Sequence, residues 1–326
     1  MTTATQNTTA PKAKKYNIVQ TFGKGNVSAR PDATVAGLSS PGKFTPAIDP
    51  NYELRKDLVT DIMAWWQIGD GEGLFLSGPS GAGKSTLVRQ IAARLNYNVQ
   101  HMVGHGRLEF PEMVTTMLIR NGNTIPMYGP LARAYKFGHL FLYDEADLVD
   151  ESTNAALNEI LQGKPLIIPE TGELIEPHPM FRFVATGNSR GGRDDTGLYQ
   201  GIVQQNMAFM ERFWFLLVEY PESATEIKIL EKAAPDLHAD LRKAMVDVAN
   251  EVRKAFMGNN QDGAACEVTF STRTLIRWAK ATLYFHPMAQ QGVSPHAYAL
   301  ERVLCNRATP ETAEFIRGLV QRIIGG

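Results

Sequence analysis

Nine residues from Gly78, reading GPSGAGKST, follow directly on the apolar run Leu74-Phe75-Leu76. Three of them, Gly78, Gly81 and Gly83, can take positive φ and leave the backbone bare, so that phosphate oxygens can reach its N–H groups. Lys84 adds a compact positive charge for β- and γ-phosphates, and Ser85 adds a hydroxyl for Mg²⁺, in the spacing G-x-x-x-x-G-K-[ST]. A helix opening just after the loop would aim its positive end at the same point. The stretch Gly78, Pro79, Ser80, Gly81, Ala82, Gly83, Lys84, Ser85 and Thr86 is therefore the expected nucleotide-binding segment.

A phosphate loop that supports hydrolysis needs a second metal anchor and a group to orient water. "LFLYDEAD" ends an apolar run in acids. Asp144 is placed to hold Mg²⁺ with Ser85, and Glu145 to polarise the attacking water. The glutamate favours turnover of ATP over mere binding or switching. Asn188, in "FVATGNS", closes a third apolar run and could bond the γ-phosphate or its water, although asparagine also suits a strand-exit turn for purely local reasons. Arg212, in "AFMERFWFLLV", and Arg273, in "FSTRTLIRWAK", match phosphate as bidentate donors. Ordinary surface ion pairs would account for them as well. A cation in the first turn of a helix opposes the dipole, so Arg273 in particular asks for a reason.

These residues need elements to position them. "GLFLSG" reads as a strand and "STLVRQIAARL" as a helix with Leu87, Ile91 and Leu95 four apart, which puts the glycine loop between strand and helix. "HLFLYDEAD", "MFRFVATGNS" and "RFWFLLVEYP" read as further strands, and their alternation with helices predicts a parallel α/β sheet. "KPLIIPETGELIEPHP" predicts a hairpin turning at Thr171-Gly172. Beyond Pro221 the pattern becomes helical throughout. The expected organisation is a flexible basic arm over 1–45, an α/β ATP-binding domain over 46–221 and an all-helical lid domain over 222–326.

Bulk composition narrows the function. The 326 residues carry a net charge of −1, with 44% hydrophobic and 21% charged residues. That is ordinary globular usage, and it argues against a general nucleic-acid binder. The basic arm with Lys12, Lys14 and Lys15, and the loop with Arg190 and Arg193, are the places where such contacts could still occur. A solvated tail and loop are the plainer reading. The two cysteines, Cys266 and Cys305, are too few for a zinc cage, and a reducing compartment fits them. No apolar stretch follows the basic N-terminal residues and no window reaches the ~18 apolar residues of a membrane span, so the expectation is a cytoplasmic protein without a membrane.

Taken in order, "GPSGAGKS", "LFLYDEAD", "ATGNS", "ERF" and "STR" resemble the motif series of AAA+ ATPases. Within these the chain resembles the MoxR branch, by the hairpin before "ATGNS" and by "GPLARAYKFGHLFLYDEAD". Most of all it is similar to the ATPase subunits of aerobic cobalt chelatases, by "IDPNY", "PHPMFRFVATGNS", "TGLYQGIVQQNMAFMERF" and "STRTLIRWA". The resemblance spans about Asp49 to Phe285. It implies a P-loop AAA+ fold with a small helical lid, and a homo-oligomeric ring, commonly a hexamer, with ATP at each subunit boundary. Arg212 would then be the finger reaching a neighbour's γ-phosphate, and Arg273 the lid sensor of the same subunit. It also implies a partner with a von Willebrand A-type domain and a protein client such as a metal chelatase. The loop "NSRGGRDDTG" is longer and more basic than in those subunits, and "VGHGRLEFPEMVTTML" is only loosely similar. Both departures bear on the client rather than on the hydrolysis of ATP.

Overall fold

A computed structural model describes residues 12–120, 122–192, 201–258 and 266–325. The chain divides into two compact units. The first comprises residues up to Asp49, Leu54–Gly78 and Lys84–Leu217, and the second comprises Pro50–Glu53, Pro79–Gly83 and the chain from Val218 onward.

The first unit holds the strands: β1 (Ala13–Asn17), β2 (Thr34–Leu38), β3 (Gly73–Ser77), β4 (Val99–Val103), β5 (Thr115–Arg120), β6 (Asn123–Tyr128), β7 (Leu140–Asp144), β8 (Leu166–Ile168), β9 (Glu173–Ile175), β10 (Arg182–Gly187) and β11 (Phe213–Leu217). Five of them make one sheet in the order β11-β3-β10-β7-β4, with every pairing parallel. Every residue of β3 and β7 is buried, which is why these strands read as unbroken apolar runs rather than alternating ones. Phe75 meets Phe213, and Phe141 meets Phe183, edge to face across neighbouring strands, and Phe183 also meets Phe213 edge to face. The helix Lys56–Ile68 buries Leu58, Ile62 and Trp65, and the helix Lys84–Arg94 buries Leu87, Val88 and Ile91.

The register matters for function. Gly187 lies opposite Ser77, Val103 opposite Asp144, and Ala185 opposite Tyr143. The carboxyl ends of β3, β10 and β7 are therefore level, and the polar residues that close each strand meet there, where open α/β sheets bind ligands.

Residues 13–49 differ from the flexible arm expected over 1–45. β1 and β2 form an antiparallel pair, joined through the helix Ile18–Phe22. Ile18, Phe22, Val27 and Val35 are buried. The Leu38 N–H donates to the Leu95 carbonyl at 2.9 Å, which ties this segment to the rest of its unit. Its apolar residues are few and sit on either side of a long connection, so no window of sequence shows a period. Residues 1–11 lie outside the described residues.

The hairpin expected around Thr171-Gly172 is β8–β9, antiparallel, with Gly172 at φ 69°. A second antiparallel hairpin, β5–β6, was not expected. It exposes Met117, Leu118, Ile119, Ile125 and Met127.

The second unit is helical: Ser223–Ala233, Ala239–Phe256, Thr272–Tyr284, Pro295–Val303 and Pro310–Ile323. They pack around Trp278, Phe270, Met245 and Ile316, each fully buried. Inside this core the Arg253 guanidinium grips the Glu226 carboxylate with two bonds of 2.7 and 2.8 Å. Cys266 and Cys305 are free and buried. Burial pushes the Cys305 thiol up to about 11, so both behave as packing residues. Among the described residues no helix is long and apolar enough to cross a membrane.

Candidate active site

β3 delivers the chain into the glycine loop. Gly78 N–H donates to the Gly187 carbonyl at 3.3 Å, fastening the start of the loop to the end of β10. Gly81 and Gly83 stand at φ 75° and 92°, the left-handed region that glycine enters without penalty. Within the second unit, Ser80 presents its carbonyl to the Tyr220 hydroxyl at 2.9 Å. A Cβ on Gly81 would lie 2.3 Å from that of Ser271, so Gly81 is required there for space as well as for conformation. Pro79 and Ala82 are joined by a 3.2 Å backbone bond that closes the turn. Thr86 is exposed on the first turn of the helix Lys84–Arg94.

Lys84 is buried. Its ammonium donates to the Gly78 carbonyl at 2.6 Å and to Asn188 Oδ1 at 3.0 Å. Burial drives its pKa down to about 8, against the opposing pull of Asp147, Asp144 and Glu145. Ser85 Oγ donates to Asp144 Oδ1 at 2.5 Å. Thr186 Oγ donates to the same oxygen at 2.9 Å. His101 Nε2 stands 2.7 Å from Asp144 Oδ2. Burial pushes the Asp144 carboxyl up, but the hydrogen bonds from His101, Ser85 and Thr186 outweigh it, and the group stays ionised below its usual range.

Glu145 is exposed and sits at φ 57°, ψ 40°. This left-handed geometry is rare for a residue with a side chain, and it turns the chain off β7 immediately after Asp144. Its N–H donates to Thr186 Oγ at 3.1 Å. Asp147, wholly buried, accepts the N–H groups of Asn188 and Ser189 on one oxygen at 2.6 and 2.8 Å. The loop after β10 is thus clamped from the acidic loop, and Asn188 is held against Lys84.

Of the residues singled out from sequence, the fold brings Gly78, Lys84, Ser85, Asp144, Glu145 and Asn188 together at the carboxyl end of the sheet. Arg212 is not among them. It precedes β11, where Phe213 pairs with Gly73, at the opposite end of β3 from the glycine loop. The five residues between span about 16 Å at ~3.3 Å each. Its guanidinium donates to the Ala208 carbonyl. Arg273 belongs to the second unit, exposed in the first turn of the helix Thr272–Tyr284, which Ser271 caps by accepting the Thr274 N–H. Arg190 is exposed. Arg193 lies outside the described residues. Sequence reasoning assigned no role to His101, Asp147 or Thr186. Only Asp147, as the last acid of "DEAD", carried a local signal.

Two family models match the chain in the same order as these units. One is described as an AAA domain of the dynein-related subfamily, over residues 73–202. The other is the CbbQ/NirQ/NorQ C-terminal domain, over residues 226–323. The chain carries an AAA domain followed by a CbbQ/NirQ/NorQ C-terminal domain. Its relatives include the aerobic cobaltochelatase subunit CobS of Sinorhizobium sp, 28% identical over 269 residues that cover 79% of each chain. Protein NorQ of Paracoccus denitrificans is 26% identical over 206 residues, 63% of this chain and 73% of that one. The mouse von Willebrand factor A domain-containing protein 8 is 23% identical over 244 residues, 70% of this chain but 12% of that much longer protein. The AAA+ match carries nucleotide binding and ATP hydrolysis, and the end of the sheet around Lys84 gathers a buried cation, a hydroxyl, two carboxylates and an amide.

Proposed function

We propose that this ATPase works as a homo-oligomeric ring, a remodelling motor in which each ATP is held by one subunit and cleaved with help from the next. The observation that carries this reading is the position of Arg212. It lies a full strand length from Lys84 of its own chain, so its guanidinium is available to a neighbour's nucleotide rather than its own. Ser85 and Asp144 fit Mg²⁺ by donor chemistry, since a hydroxyl and an ionised carboxylate are the hard oxygen ligands this ion takes. Bound there, the ion would neutralise charge on the β- and γ-phosphates. Glu145 accepts the proton side of the attacking water, Asn188 orients that water against Lys84, and Arg273 serves as the lid arginine of the same subunit.

The likeness to a cobaltochelatase subunit and to a protein that contains a von Willebrand factor A domain supports a von Willebrand A-type partner and a protein client, a metal chelatase being the first to test. The near-zero net charge supports a protein client over nucleic acid, and the reading places this work in the cytoplasm. The deciding experiment mixes two inactive variants. Glu145→Gln and Arg212→Ala should each lose ATP turnover by ~10³-fold or more, as arginine fingers do. Mixed in equal amounts they should regain it, because a Glu145→Gln subunit supplies Arg212 to a site that still has Glu145. Failure to complement would discard the shared site. A purified von Willebrand A-type protein should raise turnover of the wild type, and an unchanged rate would discard that partner.

A further inference from the structure

We propose that His101 is a positioning residue for the metal-side carboxylate, holding Asp144 Oδ2 so that Oδ1 stays turned to Ser85. The proposal rests on the reading of Asp144 as a metal-holding residue. His101 sits on β4, the edge strand of the sheet. In the pairing of β4 with β7, Val103 faces Asp144 and His101 faces Leu142, so His101 shares the face of Asp144 from two residues back. An imidazole is long enough to span that offset, and its Nε2 lies 2.7 Å from Oδ2. An ionised carboxylate can only accept, so Nε2 carries the hydrogen.

The three donors divide the carboxylate between them. Ser85 and Thr186 take Oδ1 at 2.5 and 2.9 Å, and His101 takes Oδ2. A carboxylate held on one oxygen can still swing about its Cβ–Cγ bond, whereas one held on both cannot. Packing gives no reason for the histidine, since its side chain is 33% exposed while that of Asp144 is 12% exposed. Among the described residues its hydrogen bond to Asp144 is the polar contact it makes. Removing such an outer partner of a metal ligand typically weakens metal binding 10–100-fold.

The test uses the full chain with ADP bound, so that turnover plays no part, and titrates Mn²⁺ by electron paramagnetic resonance. His101→Phe and His101→Asn, neither of which can donate across the gap, should weaken Mn²⁺ by about tenfold or more, while His101→Gln, whose amide reaches as far as the imidazole, should stay within about threefold of wild type. ADP affinity in EDTA should be the same in all three. If His101→Phe fails to fold, His101→Asn carries the comparison. Asp144→Asn is the reference. If it loses Mn²⁺ while His101→Phe and His101→Asn bind like wild type, the positioning role is overturned. If Asp144→Asn itself binds Mn²⁺ like wild type, the metal reading of Asp144 falls, and the role of His101 falls with it.

Discussion

Lys84 Nζ donates to Asn188 Oδ1 at 3.0 Å, and this bond links the phosphate loop to a residue 104 positions later in the chain. Asn188 reaches it because its own N–H is held by Asp147 at 2.6 Å. The amide is thus fixed at both ends, by a buried carboxylate through its backbone and by a buried ammonium through its side chain. A group aimed in this way acts on the transition state without reorganising first, and removal of one such donor or acceptor costs about 10²-fold in rate. Asn188→Ala should therefore lower kcat by about 10²-fold while changing KM little, in steady-state phosphate release. A change confined to KM would place Asn188 in ground-state binding instead.

Asp147 should separate structure from catalysis. Asp147→Ala leaves the part-buried N–H groups of Asn188 and Ser189 without an acceptor, at about 1 kcal/mol or more each. Asp147→Asn keeps a carbonyl oxygen that can accept both. Thermal unfolding should show a large loss for the alanine variant and a small one for asparagine, with kcat following the same order. Equal losses in the two variants would show that charge, and not acceptance, is what Asp147 contributes.

The legibility of this site follows its physics. Lys84, Ser85, Asp144 and Glu145 stand out because the conformations they need are local: glycines before a lysine, or a twice-buried strand ending in acids. Thr186, Asp147 and His101 do not stand out, because each matters through a partner some 40 residues away, and strand register decides that partner. β4, "VQHMV", has no clear sequence signal either, because an edge strand that is buried only in part reads neither as an apolar run nor as a clean alternation. The β1–β2 pair is hidden by its long connection. The β5–β6 hairpin is a different case. Asn121-Gly122 is a dipeptide that favours tight hairpin turns, but Met117-Leu118-Ile119 before it runs together instead of alternating.

Lys84 sets a pH dependence with a definite sign. Its folded value of about 8 lies below the ~10.4 of an unfolded lysine. The buried cation therefore costs stability below pH 8, and this cost fades as pH rises from 8 toward ~10.4. Compared with Lys84→Met, wild-type protein without nucleotide should be relatively less stable at pH 7 than at pH 10 by chemical denaturation. Nucleotide binding runs the other way, since bound phosphates need the charged form. Affinity for ATP should weaken about tenfold from pH 8 to pH 9.5, and a flat profile over that range would show that the ammonium keeps its charge without phosphate.

The Glu226–Arg253 pair in the second unit should behave as buried ion pairs do. The side chains are 0% and 6% exposed, and Arg253 also donates to the Phe270 carbonyl at 2.7 Å. Breaking the pair from one side strands a buried charge at about 3–5 kcal/mol. Arg253→Met or Glu226→Leu alone should lower the unfolding midpoint of the second unit sharply. The double variant should recover much of the loss, because apolar residues of similar size then replace both charges. A double variant as unstable as the sum of its parts would mean that the bonds from Arg253 to Phe270 and from Thr272 to Glu226 carry the stability.

Gly104 offers a way to disturb Glu145 without touching nucleotide. It follows β4 directly, and its N–H donates to the Asp144 carbonyl at 2.7 Å. A Cβ at this position would lie 2.4 Å from the Glu145 carbonyl oxygen and 2.8 Å from a Val149 methyl. The first of these is backbone and cannot rotate away. Gly104→Ala must therefore shift the segment that holds Glu145 in its left-handed turn, while Lys84 and Ser85 sit on the separate helix Lys84–Arg94. Displacing a catalytic group by about 1 Å can cost on the order of 10²-fold. The expected result is a kcat reduced by about 10- to 100-fold, with affinity for ADP within about threefold of wild type. If hydrolysis persists at the wild-type rate in Gly104→Ala, the backbone at Glu145 tolerates displacement, and its left-handed conformation is not what aims the carboxylate.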